Sequence, residues 1–159
     1  MARQIQIRRA QPDDAAAIAV VLYESFVEYK ALYTDEGFAA TTLCKEQIES
    51  RIREGPVWVA SCDETIVGTV SAVGSGEALY VRGMAVLPAA RGSGAGSALL
   101  RQVESWAAVE GAPRIFLSTT PFLESAIRLY EKFGFQRTSD GPFDLFGTPL
   151  FTMEKNLSR

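Results

Sequence analysis

The alternation of polar and apolar side chains divides the first part of this chain into a strand and a helix. Residues 4–8 alternate in the way of a strand with one buried face. After Pro12, apolar side chains recur every three to four residues from Ile18 to Phe26, which is the spacing of a helix with one buried stripe. We therefore expect the first helix to lie over a sheet.

A second helix is predicted over residues 42–53. Its apolar positions Cys44, Ile48 and Ile52 share one face at helical spacing. The stretch at 33–40 shows no clear period and is expected to be irregular.

Three strands follow in succession. Residues 57–61 and 66–73 flank the turn pair Asp63-Glu64, which is typical of an antiparallel hairpin. A glycine-containing turn then leads into a strand at 78–86. These strands predict an antiparallel meander.

The order of elements then changes to strand, helix, strand. A helix is predicted over residues 94–110 and a strand over 114–117. Such a unit normally crosses over to a parallel neighbour, so the loop before the helix lies at the carboxyl ends of the strands, where ligands bind.

A helix at 125–133 and strands at 135–137 and 150–154 complete the pattern. The sequence thus predicts one α/β (α+β) domain over residues 1–159. Its sheet is mixed and mostly antiparallel, with about six or seven strands, a central parallel pair and about four flanking helices.

Composition narrows the classes of function. The 159 residues are 47% hydrophobic, which suffices for one core, and the formal net charge is −3. Without a cluster of Lys and Arg, a nucleic-acid partner is not expected. No run of about 18 apolar residues marks a membrane span. We expect a cytoplasmic protein that binds no membrane.

The absence of histidine restricts the chemistry further. It excludes serine triads and histidine metal sites, and Cys44 and Cys62 lack the spacing of a metal motif. We therefore expect no metal. Proton transfer must use a carboxylate, tyrosine, cysteine, lysine or water.

Three closely spaced glycines mark the candidate binding loop. Glycines let the backbone curl so that several N–H groups point at one anion beside a new helix. Gly96 is not followed by the Lys of a Walker loop, and Ser97 stands where a dinucleotide fingerprint needs its third glycine. What remains is Arg91-x-x-Gly94-x-Gly96. A flexible turn without a ligand is the alternative reading.

This pattern resembles the acyl-coenzyme A signature of the GNAT superfamily of N-acetyltransferases, Arg/Gln-x-x-Gly-x-Gly/Ala. Residues 125–135 are similar to its second hallmark, a short helix that carries a tyrosine and closes on Gly-Phe. The resemblance covers residues 5–157. It implies direct transfer of an acetyl group from acetyl-coenzyme A to a primary amine, of a small molecule, in a ternary complex. A peptide acceptor or a non-catalytic acyl-coenzyme A sensor are the alternatives.

The resemblance also implies how the coenzyme is held. The pantetheine arm would lie along Met84, Ala85 and Val86, in a gap splayed between strands 78–86 and 114–117. The amides of one loop would hold the pyrophosphate: Arg91, Gly92, Ser93, Gly94, Ala95, Gly96 and Ser97. Within it, the Arg91 side chain would add a charge-assisted contact or remain a solvated cation. Leu123 stands where relatives commonly carry an asparagine that bonds the coenzyme, so that contact is expected to be missing.

The implied catalytic residues are fewer. The Tyr130 hydroxyl would point at the coenzyme sulfur and stabilise the leaving thiolate; packing in the core is the alternative. A glutamate serves many relatives as the base, and Tyr80 stands in its place here. Glu77 is the substitute candidate, with an exposed turn carboxylate as the alternative.

The acceptor is implied to bind near the first helices. Its candidate contacts are the aromatic residues Phe26, Tyr29, Tyr33 and Tyr80. Aromatic faces with nearby carboxylates (Glu24, Glu28, Asp35 and Glu36) suit a cationic amine, although the same residues also fit a packed helix with a solvated acidic face. Residues 143–146 are a candidate opposite wall or a candidate homodimer contact.

Overall fold

The structure is a computed structural model that describes residues 4–141 and 143–157. Within them, eight strands form one mixed sheet in the order β1-β2-β3-β4-β5-β8-β6, with β7 paired to β8. The strands are β1 (Ile5–Arg9), β2 (Val57–Cys62), β3 (Thr65–Ser75), β4 (Ala78–Val86), β5 (Arg114–Thr119), β6 (Gln136–Arg137), β7 (Phe143–Leu145) and β8 (Thr148–Asn156). The pair β4–β5 is parallel, and each other pairing is antiparallel. The predicted central parallel pair is confirmed.

Helices cover both faces of the sheet. They are α1 (Ala15–Phe26), α2 (Asp35–Thr41), α3 (Lys45–Glu54), α4 (Ala95–Glu110) and α5 (Glu124–Lys132). Side chains of β2 alternate between the two faces: Val57 and Val59 join the core under α1 and α3, whereas Trp58 and Ala60 join the core under α4. The sheet is therefore buried on both sides, and its ligand site must open at an edge or a gap.

The helix count corrects the sequence prediction in one region. Residues 33–40 were expected to be irregular, but α2 begins there because Thr34 caps it, accepting a hydrogen bond from the Gly37 amide at 3.0 Å. The Thr34 amide in turn donates to Thr148 Oγ1 at 2.9 Å. Cys44 was expected on a buried face of the next helix, yet it is exposed at the residue preceding α3.

A bulge in β4 opens the gap that positions the site. Ser71 pairs with Arg82 and Thr69 pairs with Ala85, so two residues of β4 stand opposite one of β3. One of these is Gly83, whose φ of 65° suits a residue without a Cβ. Strands β4 and β5 pair only at residues 78–80 with 114–116. Beyond that point they separate, and the edge of β4 that faces β5 has no ladder partner among the described strands.

Candidate functional site

Two adjacent cavities lie at the gap between β4 and β5. The larger, of about 530 Å³, is bounded by the glycine loop, the end of β4 and α5. The smaller, of about 270 Å³, lies between α1, α3, β4 and β5. Four residues line both cavities: Phe26, Met84, Leu123 and Tyr130. We call the larger one the coenzyme cavity and the smaller one the acceptor cavity, after the occupants that the family resemblance implies.

The glycine loop presents free backbone donors to the coenzyme cavity. Gly92 and Gly94 have φ of 84° and 92°, and α4 begins directly afterwards at Ala95. In the described part of the chain, no hydrogen-bond acceptor faces the amides of Gly92, Gly94, Gly96 or Ser97. Gly96 and Ser97 lie in the first turn of α4, and Gly92 and Gly94 lie in the loop before it, so the loop is suited to an anion.

Gly96 has a second role, in packing. A Cβ at this position would stand 2.9 Å from Leu129 Cδ2 and 3.5 Å from Met84 Cε. The bare glycine therefore lets the start of α4 approach α5 and β4 closely. This contact fixes the loop against the two elements that carry the rest of the site.

Arg91 is engaged by the protein itself. Its Nη1 donates to Glu28 Oε1 at 2.7 Å, and its Nη2 donates to the Ser25 carbonyl at 3.1 Å. Both side chains are more than a third exposed. The pair ties the glycine loop to the end of α1, so the loop is held in place before any ligand enters.

Most of the residues predicted to hold the coenzyme are brought together. Met84, Ala85, Val86, Arg91, Gly92, Gly94, Gly96 and Ser97 line the larger cavity. Ser93 and Ala95 belong to the same loop but do not line it: Ser93 Oγ accepts a hydrogen bond from the Ala95 amide at 3.3 Å, and Ala95 is buried in the core. The sequence analysis missed Ser125 and Lys132, which face this cavity from α5. Their spacing of seven residues, about two helical turns, was the available signal.

Tyr130 lies where the two cavities meet. It is 7% exposed, and its hydroxyl makes no hydrogen bond within the described residues. Burial, with a smaller contribution from the charge of Tyr33, raises the pKa of Tyr130 to about 12. At neutral pH this hydroxyl is therefore protonated and able to donate a hydrogen bond.

Glu77 is not brought to this site. It is exposed in the turn before β4 and lines a separate depression with Glu54 and Trp106. Nine residues of strand separate it from Val86, or roughly 25–30 Å. Among the described residues, no Asp or Glu lines either cavity. The structure thus offers no carboxylate base at the junction of the cavities.

The four aromatic candidates are divided between the cavities. Phe26 lines both, Tyr29 lines only the coenzyme cavity, and Tyr33 and Tyr80 line the acceptor cavity. Burial raises the pKa of Tyr33. Tyr80 is stacked on Phe116 with ring centroids 4.9 Å apart. Tyr29 therefore lies away from the place where sequence reasoning put it.

The carboxylates expected beside the acceptor lie elsewhere. Glu24, Glu28, Asp35 and Glu36 are all exposed, and none lines either cavity. The cations Arg51 and Arg82 line the acceptor cavity instead. The alternative interpretation, a solvated acidic face, fits these four residues: Glu24 lies on α1, Glu28 in the short 3₁₀ helix that follows it, and Asp35 and Glu36 on α2.

The two arginines differ in their partners. Arg82 Nη2 donates to Glu54 Oε1 at 2.6 Å. The Arg51 side chain has no hydrogen bond or ion pair within the described ranges, and its Nη1 lies 2.7 Å from the point that a Gly83 Cβ would occupy. Burial, and next the charge of Arg82, lowers the pKa of Arg51 to about 10, while the charge of Glu54 opposes this shift. Gly83 therefore makes room for a guanidinium that no carboxylate of the described residues bonds directly.

Residues 4–141 and 143–157 contain no group of three Cys, Asp or Glu side chains arranged to hold a metal ion. Their helices are too short or too polar for any of them to cross a bilayer.

Comparisons with known proteins agree with this geometry. Residues 19–135 match the family model described as the acetyltransferase (GNAT) family. An uncharacterized N-acetyltransferase, YjgM of Escherichia coli, is 32% identical over 136 residues, which cover 82% of this chain and 81% of that protein. A probable N-acetyltransferase of mouse, family 8 member 5, is 34% identical over 90 residues, covering 53% of this chain but only 40% of the mouse protein. Among solved structures, PaiA N-acetyltransferase from Thermoplasma acidophilum in complex with coenzyme A superposes with a TM-score of 0.82 at 21% identity, covering 96% of this chain and 99% of that one.

Proposed function

This chain belongs to the acetyltransferase (GNAT) family, and from that premise we propose that it transfers an acetyl group from acetyl-coenzyme A to the primary amine of a small molecule. Transfer takes place by direct attack within a ternary complex. The observation that carries this proposal is the meeting of two cavities at Tyr130, because it sets a donor and an acceptor side by side.

The coenzyme cavity has the features that a pyrophosphate and a pantetheine arm require. The unpartnered amides of the glycine loop and the start of α4 bind the pyrophosphate. The pantetheine amides pair with the free edge of β4 at Met84, Ala85 and Val86, as an added strand would. Lys132 adds a positive charge from α5. This arrangement directs the thioester toward Tyr130.

The tetrahedral intermediate and the leaving group then need donors. A backbone N–H near Val86 meets the oxyanion, and the Tyr130 hydroxyl donates to the sulfur. With the pKa of Tyr130 at about 12 and a thiol near 8.5, full proton transfer to the thiolate is uphill by about 5 kcal/mol. Tyr130 therefore stabilises the thiolate as a hydrogen-bond donor and keeps its proton.

The acceptor amine must lose a proton without help from a carboxylate. An alkyl ammonium with a pKa near 10.4 needs about 4 to 5 kcal/mol to reach its neutral form at pH 7. Because no Asp or Glu lines the described walls of either cavity, water carries the proton away. The rate should consequently rise with pH as the free amine becomes more abundant.

The size of the acceptor cavity supports a small acceptor. Drug-sized ligands occupy pockets of about 300–1,000 Å³, and this cavity is smaller, at about 270 Å³. A peptide would have to leave most of its length outside. We therefore place small amines ahead of protein N-termini.

A thiol-release assay tests the proposal. The chain is incubated with acetyl-coenzyme A and a panel of amino acids, polyamines, aminoglycosides and short peptides, and free coenzyme A is measured as it appears. We expect release that depends on a small amine, with an N-acetylated product confirmed by mass spectrometry. Release with peptides alone would overturn the small-molecule acceptor. Binding of acetyl-coenzyme A with no release for any amine would indicate a sensor module.

A further inference from the structure

We propose that the acceptor carries an acidic group beside its amine, and that the Arg51 guanidinium binds that group in the acceptor cavity. The acceptor class is then a small amino acid or a related zwitterion with an apolar side chain. This inference rests on the proposed function, since it names the substrate of the same site.

The Arg51 guanidinium has no bonded acidic partner among the described residues. Arg82 is neutralised by Glu54, with 2.6 Å between Nη2 and Oε1, whereas no acceptor atom of the described residues bonds Arg51. The Arg51 side chain is half-buried, so its guanidinium gives up part of its hydration without a bonded carboxylate in return. Arg51 nevertheless lines a cavity, in space made by the bulge at Gly83. A ligand anion supplies the missing partner, and a guanidinium binds a carboxylate with two parallel hydrogen bonds.

The charges around the cavity point the same way. Its titratable lining residues are Arg51, Arg82, Tyr33, Tyr80 and Tyr130, with no Asp, Glu or Lys among the described lining. A polyamine would meet the Arg51 cation and the Arg82–Glu54 pair there, with no carboxylate in the described lining. An amino acid offers one carboxylate to Arg51.

Most of the remaining lining of the cavity is apolar. Phe26, Tyr33, Tyr80, Leu145 and Leu150 contribute rings and aliphatic groups to its wall. A side chain of moderate size and low polarity fits this lining. Phenylalanine and leucine are therefore the first amino acids to try.

The test compares matched acceptors that differ only in the acidic group. Phenylalanine is set against phenethylamine and phenylalaninamide, and leucine against isoamylamine, in the thiol-release assay. We expect kcat/KM for the amino acids to exceed that of the uncharged partners, after correction for the fraction of free amine. In Arg51→Gln we expect kcat/KM for phenylalanine to fall about 10- to 100-fold, the effect of losing a hydrogen bond to a charged group. The same variant should lose less activity toward phenethylamine, so the preference for phenylalanine over phenethylamine should fall.

Controls separate this effect from misfolding. Arg53→Gln removes a charge from the same helix, at an exposed residue that bonds Ser50 and lines neither cavity. It should leave both substrates unchanged. Arg51→Lys should give an intermediate loss, since it keeps the charge but not the forked geometry. Coenzyme A binding by calorimetry should be equal in all three variants and in the parent chain.

The outcomes distinguish the two proposals. The parent chain could acetylate phenethylamine as fast as phenylalanine or faster, with no selective loss in Arg51→Gln. That result would overturn the proposal of an acidic acceptor, but it would still support the acetyltransferase function. If neither kind of amine leads to release of thiol, the proposed function itself is overturned.

Discussion

Replacing Tyr130 with Phe removes one hydroxyl from the point where the two cavities meet. The ring stays packed near Phe135, with 5.9 Å between the ring centroids, so the fold should persist. Since the hydroxyl has no hydrogen-bond partner among the described residues, its loss strands no buried group. Under the proposed function, we therefore expect the change to act on the chemistry at the sulfur rather than on stability.

The magnitude follows from the protonation state. Burial raises the pKa of Tyr130 to about 12, so the hydroxyl is a donor throughout the working range of pH. A hydrogen bond to a charged atom contributes about 1.5–3 kcal/mol, and each 1.36 kcal/mol changes a rate tenfold. We expect kcat to fall about 10- to 150-fold when the thiolate loses this donor. The affinity for coenzyme A should change less than threefold or so, because the uncharged ground-state thioester makes a weaker bond.

The assay measures thiol release from acetyl-coenzyme A at saturating amine, with coenzyme affinity taken separately from calorimetry. Tyr23→Phe is the matched control, since Tyr23 is exposed and lines neither cavity. The parent enzyme should also show no fall in rate up to about pH 10, because a group with a pKa of about 12 keeps its proton there. Equal turnover in Tyr130→Phe and Tyr23→Phe would refute the role of Tyr130. A rate that falls between pH 8 and 9 as a tyrosine titrates would refute its assignment as a neutral donor.

Three further predictions concern the coenzyme cavity and the stability of the fold. Gly94→Ala places a Cβ at φ 92°, which should cost about 1–2 kcal/mol of stability and weaken coenzyme A binding at least tenfold by calorimetry. The control Gly76→Ala, at φ 63° in the turn before β4, should cost similar stability and leave coenzyme A binding unchanged. Equal binding by the two variants would contradict the account. Lys132→Gln should weaken coenzyme A binding by about 0.5–1 kcal/mol at low salt and by less at 1 M salt. The control Lys45→Gln, which removes a lysine paired with Glu49 on α3, should leave coenzyme A binding unchanged. A loss of affinity that salt does not reduce would argue against a charge contact at Lys132. Asp14 accepts from Arg8 at 2.8 and 2.9 Å and from the Gln11 amide at 2.7 Å, so hydrogen bonding to Arg8 holds the pKa of Asp14 below its usual value. A carboxyl whose pKa is lowered in the folded state stabilises the fold above its unfolded pKa near 3.9, and this stabilisation is lost as the pH falls through the folded pKa. Asp14→Asn should therefore lower the free energy of unfolding by about 1 kcal/mol at pH 7, or 2–4 °C in Tm, and by nothing near pH 2. A difference in stability that stays constant across this range would contradict the prediction.

Local patterns were enough to predict the elements that carry the coenzyme cavity. The strand at 78–86 and the helix after Gly94 have strong periods and glycine boundaries, and the structure places β4 and α4 there. Ser97, directly after Gly96, excluded both the Walker and the dinucleotide alternatives. The binding of an anion by backbone amides depends on the local shape of the backbone, which the local sequence predicts well.

The acceptor cavity depends on long-range geometry, and sequence predicted it poorly. Arg51 reads as a polar position on an amphipathic helix, and only the bulge of β4 at Gly83 turns it into a cavity wall. Helix α2 likewise lacks a period of its own and is capped by Thr34, whose amide bonds the distant Thr148. Glu77 was proposed from its distance along one strand, and the direction of that strand takes it away from the site. Contacts between segments far apart in the chain decide the first two, and the course of β4 decides the third.

Calorimetric titration of the purified chain with coenzyme A tests the central claim most directly, because both cavities take their meaning from the ligand at the glycine loop. The account predicts one molecule bound per chain, with the affinity reduced at least tenfold in Gly94→Ala and preserved in Gly76→Ala. Absence of heat with both coenzyme A and acetyl-coenzyme A would contradict it.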